Sequence, residues 1–167
     1  ADESSQTLTV KITAIPSFVT LWNGTTQVNV NDTLSVAALQ GLTYKTVADA
    51  NGTGTITWTV TDNGTTNGSS DPKSVSDSLS ITVTEVNDAP TRTSAAPSAV
   101  SAAEDSANTT AASLGLSGLT YGKGGGADES SQTLTVKITA IPSFVTLWNG
   151  TTQVNVNDTL SVAALQG

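Results

Sequence analysis

The sequence predicts an all-β fold built from antiparallel β-sandwich repeats. Three observations support this prediction: segments in which apolar and polar residues alternate, Asn-Gly turn signals between those segments, and a long stretch that recurs without change. Alternation is typical of strands that bury one face. Many short strands separated by turns favour a sandwich.

The recurring stretch comprises residues 1–41 and 127–167, which are identical at every position with an offset of 126 residues. A diverged duplication would carry substitutions at exposed Thr and Ser positions, and this one carries none. We interpret the chain as one full period of a longer tandem array plus the start of the next period, and we expect that Ala1 is not a natural domain start. A period of 126 residues is large enough for one hydrophobic core.

The alternation is clearest in the segments QTLTVKITA, GTITWTVTD and DSLSITVTE. Thr and Val suit a pleated, half-buried surface, so each segment is predicted to be a strand. The apolar positions expected to face the core are Leu8, Val10, Ile12, Ile56, Trp58, Val60, Leu79, Ile81 and Val83.

The intervening residues predict turns and one short helix. Asn23-Gly24 lies between two alternating stretches and predicts a hairpin tip, because both residues accept positive φ. The segment SVAALQG is the only one that favours a helix. Pro90 and Pro97 interrupt regular strand pairing after the third alternating segment. We therefore predict that residues 1–88 are the C-terminal part of one repeat and residues 89–167 the N-terminal part of the next.

Composition narrows the classes of function. The formal net charge is −8, which argues against nucleic acid as a partner because nucleic-acid binding needs basic patches. No apolar run approaches the roughly 20 residues that span a membrane, so no membrane insertion is expected. The chain has no Cys and no His, so neither a Ser-His nor a Cys-His pair can be assembled from it. We expect no enzyme activity and a secreted setting.

Oxygen-bearing side chains gather around the proline-bounded boundary, and hard oxygen ligands are what Ca²⁺ prefers. Two more acids follow three consecutive glycines, whose backbone can turn carbonyl groups inward. The alternative is that these side chains only cap turns and keep the surface soluble. The predicted metal ligands are Glu85, Asn87, Asp88, Glu104, Asp105, Asp128 and Glu129.

The segment EVNDAP followed by AAEDS resembles the junction of cadherin-like tandem repeats of giant bacterial adhesins, which are typically of the RTX type. The stretches VADANGTGTITWTVTDNGTTNG and GLTYGKGGGADESSQTLTV are similar to later and earlier parts of such repeats. The resemblance implies an Ig-like or cadherin-like sandwich and a linker stiffened by calcium through Glu85, Asn87, Asp88 and Glu104. Asp105 matches the family's own Glu-Asp pair. In place of the Asp-x-Asp loop of eukaryotic cadherins this chain has GGGADES.

Three functions are open at this stage. The resemblance implies a structural extender of an extracellular, cell-surface adhesin. The identical copies favour a role in which the length of the protein matters more than specific ligand binding. The alternatives are a self-assembling filament or surface-layer subunit and a repeated carbohydrate-binding adhesin module. The expected partners are neighbouring repeats, together with a cell-surface or matrix ligand reached through other domains.

Overall fold

The computed structural model describes residues 6–106 and 110–166, and the chain divides into two compact units, Ala1–Val86 and Asn87–Gly167. Strands account for 40% of the residues and helices for 9%. The strand pairs of the described residues are antiparallel. The prediction of an all-β chain with antiparallel sheets is confirmed.

The first unit contains nine strands and one helix within its described residues. They are β1 Leu8–Ala14, β2 Val19–Asn23, β3 Thr26–Val28, β4 Thr33–Ser35, α1 Val36–Gln40, β5 Thr43–Thr46, β6 Gly52–Asp62, β7 Thr65–Thr66, β8 Ser69–Ser70 and β9 Ser74–Val83. In the second unit the elements are β10 Thr91–Arg92, β11 Tyr121–Gly122, a 3₁₀ helix at Asp128–Ser131, β12 Thr135–Lys137, β13 Leu147–Asn149, β14 Thr152–Val154, β15 Thr159–Ser161 and α2 Val162–Gln166.

The first unit has a sandwich-like architecture. One sheet has the strand order β4-β1-β6-β9, and a second has the order β3-β2-β5. Ile12 and Ile56 of the first sheet share a buried cluster with Leu21 and Val28 of the second. Because each sheet contributes apolar side chains to the same cluster, both are stabilised by one core.

The alternation of β1 is confirmed at its centre, where Val10 and Ile12 are fully buried between exposed neighbours. Leu8 and Leu79 differ from the prediction, because their side chains are 52% and 56% exposed. Leu79 lies on β9, the outer strand of a four-stranded sheet that faces only three strands. Apolar patterning therefore identified the strands but did not identify which of their apolar residues are covered.

The hairpin predicted in LWNGTTQVNV forms between β2 and β3, with its tip one residue later than expected. Asn23 pairs with Thr26, so Gly24 and Thr25 make the turn. Gly24 has φ +60°, as the first central residue of a type II′ turn requires, whereas Asn23 stays in the strand. The predicted helix is confirmed as α1, and Ser35 Oγ caps its N-terminus by accepting the Ala38 N–H at 3.1 Å.

The second unit has three small two-stranded sheets, β10-β11, β12-β15 and β13-β14. Leu119 and Val154 are its buried apolar residues, at 6% and 5% exposure. The Gln166 side chain donates a hydrogen bond to the Leu119 carbonyl, with an N–O distance of 2.5 Å. This bond joins a residue that precedes the recurring segment to the end of that segment.

Two strand pairings and one turn of the recurring segment are the same in both units. The β1–β4 register, Val10 opposite Leu34, reappears as Val136 opposite Leu160 in β12–β15. The β2–β3 register reappears in β13–β14. Asn31 and its counterpart Asn157 have φ of 76° and 75°. These hairpins and turns are therefore set by the segment's own residues.

Strand length differs between the two copies. β1 has 7 residues and β2 has 5, whereas β12 and β13 have 3 each. In the first unit β1 also pairs with β6 and β2 also pairs with β5. The additional partners extend the strands, since every further ladder hydrogen bond requires a neighbour.

Candidate functional site

The candidate site is centred on the carboxylate of Glu129, a residue of the second unit that is buried, at 2% exposure. Glu129 is the second residue of the 3₁₀ helix Asp128–Ser131. The helix is closed by the Gln132 N–H, which donates to the Glu129 carbonyl at 3.0 Å. This short turn directs the Glu129 carboxylate into the unit, where charged groups are rarely found without partners.

One oxygen of this carboxylate has a partner and the other has none. Glu129 Oε1 accepts the backbone N–H of Asp88, with an N–O distance of 2.9 Å. Glu129 Oε2 is buried and finds no hydrogen-bond partner among the residues that the structure describes. A buried carboxylate oxygen without a donor is costly, so a water molecule or a cation bound at this oxygen would be stabilising.

Two further contacts build the surroundings, which we call the Glu129 corner: Asn87, Asp88, Gly124, Glu129 and Gln132. The Gln132 side chain donates to Asn87 Oδ1 at 2.7 Å. Gly124 has φ +121°, and a Cβ on it would lie 2.7 Å from the Asp88 Cβ. A residue with a side chain cannot occupy this position without moving Asp88, so a glycine is needed for the loop to approach it.

The seven predicted ligands are only partly brought together. Asn87, Asp88 and Glu129 lie in the corner, and Asp128 precedes Glu129 and is half-buried. Glu104 and Asp105 belong to the same unit but are exposed, and among the described residues no hydrogen bond joins them to the corner. Glu85 belongs to the first unit and is exposed.

Two residues of the neighbourhood were not predicted from the sequence. Gln132 is three positions after Glu129, the spacing of one helical turn, but nothing in the sequence indicated that its amide would reach Asn87. Lys123 also contributes, because its ammonium group donates to the Ser130 carbonyl at 2.6 Å. This bond ties the glycine-rich loop to the 3₁₀ helix and helps to fix the position of Glu129.

The corner fits a cation in its chemistry but offers few carboxylates. Within the ranges that the structure describes, no group of three or more His, Cys, Asp and Glu side chains is suited to hold a metal ion. Ca²⁺ takes about six to eight oxygen ligands, and backbone carbonyls and water often supply several of them. Among the described residues Glu129 Oε2 lacks a partner, and Asp88 adjoins the same carboxylate through its backbone N–H, which Glu129 Oε1 accepts.

A second acidic group lies on the first unit and has a structural role. Asp62 Oδ1 accepts the backbone N–H groups of Lys73 and Gly64, at 2.9 and 2.8 Å. These bonds, with that of Lys73 the larger cause, hold the pKa of Asp62 below its ordinary value of 3.8. The Lys73 ammonium group lies 2.7 Å from Asp71 Oδ1, which lowers the pKa of Asp71 and raises that of Lys73. The hydrogen bonds of Asp62 and the ion pair between Asp71 and Lys73 therefore stabilise the turn between β6 and β9.

No protein-family model, curated protein or solved structure matches this chain. Among the helices in the described part of the chain, none has the length and apolar character needed to cross a membrane. The function must therefore be argued from the repeated segment and from the Glu129 corner.

Proposed function

We propose that this chain belongs to a non-catalytic extender of an extracellular surface protein, in which repeats of 126 residues follow one another and calcium stiffens their joints. The observation that carries the proposal is the recurrence of 41 residues without a single substitution. A specific binding or catalytic site gains little from exact copies, whereas a spacer gains length with each one. The likeness to cadherin-like adhesin repeats supports the same role.

The calcium part of the proposal is supported by the Glu129 corner. Glu129 and Asp88 would hold the ion there, with Glu129 Oε2, which has no hydrogen-bond partner in the described part of the chain, as one ligand. Calcium supplies the positive charge that a buried carboxylate lacks. Because Asp88 lies just after the boundary between the two units, an ion bound in this corner would order the chain next to the joint.

Small-angle X-ray scattering of a four-repeat protein tests the extender. We expect the maximum dimension to increase in proportion to repeat number with calcium and to decrease in excess chelator, because a flexible chain of domains is more compact on average than a stiff one. A maximum dimension that stays close to that of a single repeat would contradict the extender. A dimension that increases with repeat number but ignores chelator would contradict only the calcium joint.

Titration calorimetry on the full chain tests the ion site itself. We expect Glu129→Gln to reduce calcium affinity at least about tenfold, which is a loss of about 1.4 kcal/mol. Asp77→Asn, which removes one charge from an exposed position on β9, is the control and should leave affinity unchanged. Equal affinities for the two variants would exclude the Glu129 corner as the site. A loss of affinity in Glu104→Gln would extend the site to the exposed acids.

A further inference from the structure

The dipeptide Asn-Gly occurs in five places in this chain, and the structure gives these places different surroundings. An asparagine before a glycine can lose its side-chain amide without an enzyme, because the glycine nitrogen reaches the Asn Cγ when no side chain hinders its approach. The five asparagines are Asn23, Asn51, Asn63, Asn67 and Asn149. Since all five share the same reactive dipeptide, the folded structure decides which of them react.

Three of the five sites lie at hairpin tips. Asn23 is the last residue of β2, and Gly24 begins the turn with φ +60°. A Cβ on Gly24 would meet no atom within 4 Å, and among the described residues its N–H donates no hydrogen bond. The same holds for Gly150 in the second unit and for Gly68 between β7 and β8. The nitrogen that must attack the amide therefore has no competing contact at these tips.

The tip of the recurring segment is accessible in both of its surroundings. Residues 42–86 follow the segment in the first unit, and residues 87–126 precede it in the second. Gly24 is exposed in the first setting and Gly150 in the second. Neither neighbouring part of a repeat covers the tip, so its accessibility is a property of the segment itself.

Asn63 has the opposite surroundings. Gly64 is buried, and its N–H donates to Asp62 Oδ1 at 2.8 Å. The side-chain oxygen of Asn63 accepts the backbone N–H of Thr7 at 2.8 Å. Attack of the Gly64 nitrogen on the Asn63 amide would break both hydrogen bonds, so the fold protects this site.

Asn51 is protected by a strand. Gly52 is the first residue of β6 and lies opposite Val83 in β9. A Cβ on Gly52 would lie 3.3 Å from Phe18 Cε1, so the backbone here is closely packed. The reacting atoms must approach each other, which requires rotation of the backbone. Such rotation costs more in a packed strand than at an exposed tip, where local opening is easy.

We propose that Asn23, Asn67 and Asn149 are sites of spontaneous deamidation, whereas Asn51 and Asn63 are protected from it. The glycine nitrogen loses its proton and bonds to the Asn Cγ, and the amide nitrogen takes up a proton and leaves as ammonia. A five-membered imide ring remains, and water opens it at either carbonyl. Opening at Cγ gives aspartate, and opening at the main-chain carbonyl gives isoaspartate, in which Cβ and Cγ become part of the backbone.

The modification changes both charge and turn geometry. Each event replaces a neutral amide with a carboxylate, so a chain with a formal net charge of −8 becomes more negative. Isoaspartate also lengthens the main chain at the tip, so the turn that joins Asn23 to its partner Thr26 cannot keep its type II′ geometry. This chemistry goes beyond the extender role and does not depend on the calcium site.

Mass spectrometry of the full 167-residue chain, incubated in mildly alkaline buffer below its melting temperature, measures the rate at each site. Trypsin cleavage after lysine separates the two copies, because Asn23 lies in the peptide of residues 12–45 and Asn149 in that of residues 138–167. The peptide of residues 46–73 contains the other three sites, which fragmentation distinguishes. Digestion of a sample that was not incubated corrects for deamidation during digestion.

A parallel incubation in guanidinium gives the rates in the unfolded chain, where we expect all five sites to react at similar rates. In the folded chain we expect the three tip sites to react at least about tenfold faster than Asn51 and Asn63. A folded chain in which Asn63 reacts as fast as Asn23, or in which Asn23 does not react, would overturn the proposal.

The variant Asp62→Ala tests the cause of protection at Asn63, because it removes the acceptor of the Gly64 N–H. We expect the Asn63 rate to rise at least about tenfold, while Asn51 stays slow and so reports that the first unit is still folded. An unchanged Asn63 rate with a slow Asn51 would contradict the protection proposed for Asn63. If Asn51 also accelerates, the first unit has opened, and the rates of the wild-type chain decide the proposal alone.

Discussion

At the scale of single residues, the pair Ile12 and Ile138 separates the effect of side-chain chemistry from that of burial. Ile12 is fully buried, and its counterpart Ile138 is half-buried, although the flanking sequence is identical. We expect Ile12→Ala to lower the free energy of unfolding of the first unit by about 2–5 kcal/mol. Ile138→Ala should cost less than half as much in the second unit. Guanidinium unfolding followed by hydrogen exchange in each unit measures both losses, and equal losses would contradict the difference in packing.

Asp62 gives the first unit an acid-sensitive turn. Its pKa is lowered below 3.8 by the backbone N–H groups of Lys73 and Gly64, so the folded chain binds this proton less readily than the unfolded chain. The stabilising effect is therefore fully present above pH 3.8 and is lost as the pH falls through the folded pKa. Asp62→Asn keeps an acceptor for both N–H groups but does not titrate. We expect this variant to show a flatter dependence of melting temperature on pH below about 4.

The control for this measurement is Asp77→Asn, because Asp77 lies exposed on β9 and its carboxylate accepts the N–H of the next residue, Ser78, with no second donor among the described residues. Melting curves recorded by circular dichroism between about pH 2 and 6 compare the two variants with the wild type. Parallel pH dependence in Asp62→Asn and the wild type would show that the Asp62 hydrogen bonds do not contribute to acid sensitivity.

At the scale of elements, the close approach of β6 to the loop between β1 and β2 depends on Gly54. A Cβ at this position would lie 2.9 Å from Pro16 Cγ and 3.3 Å from Phe18 Cζ. The proline ring cannot rotate away, so we expect Gly54→Ala to lower the unfolding free energy by about 1–3 kcal/mol. Gly118→Ala is the matched control, because a Cβ there meets nothing within 4 Å. Identical denaturation midpoints for the two variants would contradict this account.

The strands and the helix were predictable from sequence to the extent that they depend on their own residues. Alternation found β1, β6 and β9, and SVAALQG found α1, because these patterns encode which face is apolar. Strand length was not predictable: the residues that form 7-residue β1 form only 3-residue β12 when β6 is absent. Ladder partners come from distant parts of the chain, and a local pattern contains no information about them.

The candidate site was predictable in its chemistry and not in its geometry. The sequence indicated carboxylates beside a proline-bounded boundary, and Asn87, Asp88 and Glu129 do lie in one corner. The burial of Glu129 depends on the approach of Gly124 to Asp88, a tertiary contact between segments that are far apart in sequence. This contact determines which acidic side chain is buried. Composition alone cannot distinguish Glu129 from the other acidic residues near the boundary.

At the scale of the whole molecule, the two units show different parts of the surroundings of one segment. The first unit shows how residues 42–86 cover it, and the second shows how residues from Asn87 onward pack against it. In the first unit Phe18 is buried, at 9% exposure, whereas in the second its counterpart Phe144 is 86% exposed and Leu119 is buried. A chain that has both coverings at once should bury more apolar surface per residue than either unit, and apolar burial is the main stabilising term in folding.

We therefore expect a 126-residue protein, in which Asn87–Gly167 is followed directly by Leu42–Val86, to fold as a monomer with one cooperative transition. The new junction repeats the Gly-Leu peptide bond between Gly41 and Leu42, so it introduces no unfamiliar turn. Its melting temperature should exceed that of the 167-residue chain, because Phe144 and Val145 become covered by strands of the same molecule. Sedimentation velocity should give one concentration-independent species. A broad or two-step transition would show that residues 42–86 and the residues from Asn87 onward cannot pack against one copy of the segment together.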